Sequence, residues 1–236
     1  MAREAREAAA KRRKRMRTAR NVGIIAVLFV GTIVIFNVVS GGNSKKSSST
    51  TTTTVKGATT TTTNATTTAT FVPTGSTESA TIKTDQGTIV VALDTKDAPK
   101  ATARFVELAK KGFYNGLTFF RAVPDFIIQG GDPKNDSTGS SGTKPVIGEV
   151  PTDSYPIGSL AAAKKPSEPN GTFDCQFYIV TGKNGLTLPN QYARFGGVTQ
   201  GLDVAQKISQ EPTGKGPNGD QLQKNVKIES ITITQT

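Results

Sequence analysis

The chain has 236 residues, 29 Lys/Arg against 18 Asp/Glu, a net charge of +11 and no histidine. The missing histidine excludes Ser-His-Asp and Cys-His catalysis and histidine-ligated zinc, leaving carboxylate, lysine or non-covalent chemistry. The charge would suit a nucleic-acid binder, but nine Lys/Arg against Glu4 and Glu7 crowd residues 1–20, whereas from Ala80 onward 17 basic residues meet 15 acidic ones, which is no phosphate footprint.

Residues 1–20 form a basic tail. Val22 to Val39 carries no charge and is broken only by Gly23, Gly31, Thr32 and Asn37. Eighteen helical residues at ~1.5 Å each span about 27 Å, close to the hydrocarbon thickness of a bilayer. Residues 21–40 are therefore predicted to be a transmembrane signal-anchor helix. The positive-inside rule keeps the basic tail cytoplasmic and places the rest outside, which predicts a single-pass cell-membrane protein. A cleaved signal peptide fits less well: its apolar core runs ~7–15 residues before small residues, and Val38-Val39-Ser40 matches that poorly. Residues 41–79 are mostly Thr, Ser, Gly and Ala with almost no large apolar residues, and fourteen threonines fall between Thr50 and Thr70. Such a stretch cannot bury enough surface to offset its chain entropy and is predicted to be a disordered linker. As a flexible coil of 39 residues it would have an r.m.s. span of about 31–37 Å.

Residues 80–236 are predicted to form one globular domain. ATIKT, the turn Asp85-Gln86-Gly87 and TIVVALD read as a β-hairpin. Asp97 is placed to cap a helix that starts at Ala98-Pro99, with Ala101, Phe105, Leu108 and Ala109 on its apolar face and Lys110-Lys111-Gly112 at its end. Short strand candidates follow: LTFFRAV, FIIQG, IGSLAAA, CQFYIVT, RFGGVT and VKIESITIT. Pro133 to Gly148 reads as a long polar loop, a place for insertion or mobility. A second helix is predicted over Leu202–Ser209. Cys175, the only cysteine, lies in an apolar strand and is expected to be an inert packing residue. Many short strands with two helices point to a mainly β, closed antiparallel barrel, which leaves no exposed sheet edge. No P-loop spacing or calcium-loop pattern is present, so no metal or cofactor is expected.

The most informative segment is Phe119 to Asp132, FFRAVPDFIIQGGD. It sets Arg121 and Gln129 into a run that is otherwise almost wholly apolar or glycine. Both groups are costly to desolvate without hydrogen-bond partners. They suit a site that takes a ligand with a large apolar part and one amide or carbonyl to orient. A pair of strands with polar residues facing solvent or a buried partner is the competing explanation.

DAPKATARFVELAKKGFYNGLTFFRAVPDFIIQGGD, then IGSLAAA, CQFYI and FGGV, resembles the cyclophilin family of peptidyl-prolyl cis-trans isomerases, in order over residues 80–235. The resemblance implies an eight-stranded antiparallel barrel capped by two helices and, with the N-terminal features, a membrane-anchored bacterial form. It implies that Arg121 is the catalytic arginine, Phe126 and Ile127 the floor of a proline pocket, and Gln129 the glutamine that holds the substrate carbonyl. Ala161, Ala162 and Ala163 match a groove-lining segment, Gln176 a groove glutamine, Tyr178 a pocket aromatic, Leu188 the pocket leucine and Tyr192 a further groove position. Several residues depart from the family pattern, which often has histidine at 120 and 192, asparagine at 162, tryptophan at 187 and phenylalanine at 178. Because that tryptophan contributes to cyclosporin binding in the family, Thr187 implies weakened drug affinity. The implied partners are proline-containing polypeptides that are exported or at the surface, met by a monomeric domain. The alternative is a non-catalytic proline-peptide-binding module or chaperone tethered to the membrane.

Overall fold

Alternation of apolar and polar residues sets the first two strands. β1 (Glu78–Thr84) buries Ala80, Ile82 and Thr84, and β2 (Gly87–Leu93) buries Ile89, Val91 and Leu93. They form the predicted hairpin, with Thr84 opposite Gly87. The computed structural model describes residues 71–235; the basic tail, the predicted span at 21–40 and the linker up to residue 70 lie outside them. Among the described residues no helix is long and apolar enough to cross a membrane. Residues 71–79, assigned above to the end of the linker, pack on the domain instead. Phe71 N–H donates to Ile157 O, its ring lies 3.8 Å from the Arg194 guanidinium, and Pro73 is buried.

After the hairpin the chain enters α1 (Pro99–Lys110), then β3 (Thr118–Val123), β4 (Ile127–Gly130), β5 (Val146–Ile147), β6 (Ser159–Ala162), β7 (Thr172–Phe173) and β8 (Phe177–Val180). A short 3-10 helix at Lys183–Thr187 leads to β9 (Arg194–Gln200), α2 (Leu202–Ser209), β10 (Thr213–Lys215) and β11 (Gln221–Gln235). The main sheet runs β1-β2-β9-β6-β8-β4-β3-β11, and β11 pairs back with β1, so eight antiparallel strands close into a barrel. β10 hangs on β11 outside the ring, and β5 pairs only with β7. The core holds Phe105 of α1 against Tyr114, Phe177 and Phe195, with ring centroids 5.2–5.5 Å apart.

The start of α1 differs from expectation. Ala98 occupies the cap position without a side-chain bond, and Asp97 does not cap. Asp94 Oδ1 accepts the Asp97 N–H instead, and the Glu149 carboxylate accepts the Lys100 and Ala101 N–H groups. A carboxylate from a distant loop thus satisfies the helix donors that a local cap would serve. Arg104, which the apolar stripe did not include, is also buried. Its Nε donates to Asp174 O at 2.8 Å, and Nη2 reaches Ser141 Oγ and Thr143 Oγ1, both at 2.7 Å, and Asp174 Oδ1 at 3.3 Å. The predicted loop 133–148 is therefore fastened to α1. At its start the fully buried Asp132 accepts the N–H groups of Lys134 and Asp136.

Cys175 is fully buried, as expected of a packing residue, and burial, ahead of the nearby Asp174 and Asp132 charges, pushes its thiol up from 9.0 to about 12. The native thiol should not react with an aromatic disulfide reagent at pH 8 and should react once the chain is unfolded; labelling of the folded protein at the unfolded rate would contradict this. The unfolded thiol ionises near pH 9 and the folded one near pH 12. Its contribution to stability is therefore complete below pH 9 and is lost as pH rises towards 12.

Candidate functional site on the outer face of the barrel

Arg121 reaches the outer face through an irregularity in β3. Phe119 is opposite Gly130 and Arg121 opposite Gln129, so Phe120 is an extra residue on the β3 side of the ladder. A bulge of this kind re-aims the residues that follow it. Without it Phe119 and Arg121, two apart, would share a face. With it Phe119 enters the core while Arg121 aligns with Gln129. From there the register forms a row across five strands: Arg121, Gln129, Tyr178, Ala161 and Arg194.

The polar members are linked. Arg121 Nε donates to Asp220 Oδ2 at 2.6 Å and Nη1 to Gln129 Oε1 at 3.1 Å. Gln129 Nε2 donates to Gln176 Oε1 at 3.0 Å, and Gln176 Nε2 to Gly139 O at 3.4 Å. All three side chains sit in residues at most 9% exposed, so their burial is matched by partners.

The apolar candidates come from the β3–β4 turn, the end of the 3-10 helix and β8. The β3–β4 turn, Val123-Pro124-Asp125-Phe126, has Pro124 second and Asp125 at φ +55 third, and Phe126 N–H donates to Val123 O. These are features of a type II turn. The turn leaves Phe126 half-buried and directs Ile127, 1% exposed, to the same face as Gln129. It is held from behind by the 3-10 helix: Asp125 Oδ1 accepts the Lys183 N–H and Asp125 O the Asn184 N–H. A Cβ on Gly182 would lie 2.4 Å from the Asp125 Cα, so glycine is what lets the two segments approach. The same helix delivers Leu188, whose N–H caps onto Gly185 O. Tyr192 packs edge-on to Tyr178, with centroids 5.7 Å apart and planes at 89°. The Tyr178 hydroxyl is buried without a hydrogen-bond partner, and burial raises the pKa of Tyr178 well above 10 and that of Tyr192 above its ordinary value.

Of the predicted residues, Arg121, Gln129 and Gln176 are joined in one bonded chain, and Tyr178 packs against Tyr192. Ala161 lies in the cross-strand row. Ala162 does not offer its side chain: strand alternation turns its methyl into the core, and its N–H is bound to Ala193 O. Ala163 is half-buried and donates its N–H to Gln176 O. Asp220 was missed. It lies just before β11, and only the hint of a turn at Asn218-Gly219 precedes it.

This fold and site define a class of protein. A family model described as "Cyclophilin type peptidyl-prolyl cis-trans isomerase/CLD" matches residues 79–233. The chain is 38% identical over 141 residues to a peptidyl-prolyl cis-trans isomerase of Helicobacter pylori, covering 57% of this chain and 82% of that protein. It is 34% identical over 169 residues to peptidyl-prolyl cis-trans isomerase A of Dickeya dadantii, covering 69% and 87%. A solved cyclophilin-type isomerase of Cryptosporidium parvum superposes with a TM-score of 0.60 at 25% identity, covering 68% of this chain and 99% of that one. The same protein has been solved in the presence of the dipeptide Ala-Pro. The chain belongs to the cyclophilin-type peptidyl-prolyl cis-trans isomerase family and is an enzyme of that type.

Proposed function

We propose that this isomerase is held at the cell membrane by residues 21–40, with residues 41–70 as its tether, and that it acts outside the membrane on X-Pro bonds of exported or surface proteins. Uncatalysed prolyl isomerisation takes ~10–100 s and delays folding, so an isomerase fixed where chains emerge would relieve that step. The charge-free run after a basic tail supports the placement. The observation that carries the chemistry is the Arg121 guanidinium bonded to both Asp220 and Gln129, in the cross-strand row that continues to Tyr178.

The barrier to rotation, about 18–20 kcal/mol, comes from amide resonance. Twisting the bond breaks that resonance and makes the prolyl nitrogen basic. Phe126, Ile127 and Leu188, with the Tyr178 ring, grip the proline. Arg121 then donates to the nitrogen, an interaction made only in the twisted state and therefore one that raises the rate. Gln129 Nε2 has two hydrogens, of which Gln176 uses one; the other orients the carbonyl before the proline. No bond is cleaved and no proton is transferred, so a chain without histidine performs the reaction unhindered.

The test of placement uses right-side-out vesicles bearing the full chain and a membrane-impermeant X-Pro peptide. Isomerisation by sealed vesicles is expected; activity that appears only after detergent opens them would overturn it. Cyclosporin provides a second check. Thr187 is exposed and bonds only its own helix, through Oγ1 to Asn184 O, so the groove lacks a large aromatic at that corner. Thr187→Trp should tighten cyclosporin up to about tenfold, the upper end of the ~0.5–1.5 kcal/mol that one added aromatic contact supplies. Equal inhibition of the two proteins would refute this.

A further inference from the structure

The catalytic arginine of the preceding section is held from two sides, and one holder is a residue to which the sequence assigned no role. Asp220 sits between β10 and β11. The turn there has Gly216 at φ +77 and Gly219 at φ +69, with Gly219 N–H bonded to Gly216 O. This turn presents Asp220 to β3: Ala122 N–H donates to Asp220 O at 3.0 Å, and Gln221 is opposite Arg121. The Asp220 carboxylate then accepts Arg121 Nε–H at 2.6 Å, with side-chain exposures of 18% and 8%.

We infer that Asp220 is the positioning residue for Arg121, fixing the plane and direction of its guanidinium for the prolyl nitrogen. This inference rests on the catalytic role given to Arg121 above. The guanidinium is a flat fork that turns about its last side-chain bonds. Gln129 on β4 takes Nη1–H and Asp220 on the β11 side takes Nε–H, and two acceptors on opposite flanks leave the plane no freedom to rotate. With Asp220 removed, the guanidinium loses its charged acceptor on the β11 side, while Gln129 must also serve the substrate carbonyl. The carboxylate also compensates the charge of a guanidinium set among apolar side chains, where an uncompensated charge is costly. Its geometry is that of a strong charge-assisted bond. The β10–β11 turn is in this respect a support for the site, and β11 meets β3 at its first residue, with Gln221 opposite Arg121.

The experiment measures X-Pro peptide turnover by the full-length chain and its variants, with thermal unfolding as the control for folding. Asp220→Ala should lower kcat about tenfold, in line with the cost of a small misplacement of a catalytic group, and leave KM within about twofold, because the contact acts in the twisted state. Asp220→Asn, which keeps an oxygen acceptor and loses the charge, should fall between it and the wild type. The Asn variant carries the test if the Ala variant does not fold. A merely structural role is separated by a double-mutant cycle: in an Arg121→Ala background, Asp220→Ala should cost nothing further. Wild-type turnover by the Asp220 variants, or losses that multiply in the double variant, would overturn the inference while leaving Arg121 in place. Wild-type turnover by Arg121→Ala alone would instead remove the reading on which it depends.

Discussion

Arg121→Ala should turn over an X-Pro peptide about 10²- to 10³-fold more slowly than the wild type, the usual cost of deleting one donor that acts only in a transition state. The loss should fall on kcat. KM should change little, because proline binding is left to Phe126, Ile127 and Leu188, none of which the substitution touches. The domain should remain folded: Arg121 is outside the core cluster, and the carboxylate it leaves behind, Asp220, keeps contact with solvent. Arg121→Lys should rescue little, since an ammonium cannot bond Asp220 and Gln129 in one plane as the fork does. A protease-coupled prolyl assay beside a thermal melt checks all three points. Near-wild-type isomerisation by a folded Arg121→Ala variant would remove the arginine from the mechanism and leave the apolar patch to act by binding alone.

The residues of this site were legible in the sequence to unequal degrees. Arg121 and Gln129 could be singled out because both polar groups stood in one run that is otherwise almost wholly apolar or glycine. How they meet was not legible. Alternation predicts that Phe119 and Arg121 share a face, and only the extra residue at Phe120 separates them. A bulge is a property of the pairing and has no reliable signature in one strand alone. Asp220 was invisible for a related reason: its partner is 99 residues away, and an aspartate after Asn-Gly looks like ordinary turn chemistry.

The barrel was legible because period-two burial is a local signal. It fails where strands are short or polar. β10 and the first residues of β11 contain too few apolar side chains to announce themselves, and they form because the neighbouring strands supply their hydrogen bonds. Conversely, the loop 133–148 was expected to allow mobility on composition alone, and the structure shows it fastened at both Asp132 and Arg104. The same limit applied to α1: Asp97 had the right chemistry to cap it, but Glu149, distant in sequence, does so.

Arg104→Ala should be strongly destabilising although it removes no core aromatic, costing about 3 kcal/mol, at the lower end of the 3–5 kcal/mol seen when one partner of a buried pair is removed. The lower end applies because the Asp174 side chain retains 23% exposure, against 3% for Arg104, so water can recover part of the loss. The substitution orphans Asp174 O and frees the hydroxyls of Ser141 and Thr143 from their common donor. At ~2–4 °C per kcal/mol for a domain of this size, the melting temperature should fall by about 6–12 °C. Arg104→Lys should rescue only part of this, because one ammonium cannot reach the acceptors on Glu107, Ser141, Thr143 and Asp174 that surround the planar fork. The site should also respond. Gly139, whose carbonyl holds Gln176, lies on the segment that Ser141 and Thr143 secure. Limited proteolysis should therefore cut first within residues 133–148 of the variant. The remaining folded fraction should isomerise a few-fold more slowly, as the Gln176–Gln129–Arg121 chain loses its end support. A melting temperature within about 1 °C of the wild type would mean that the network contributes no more than a surface pair does.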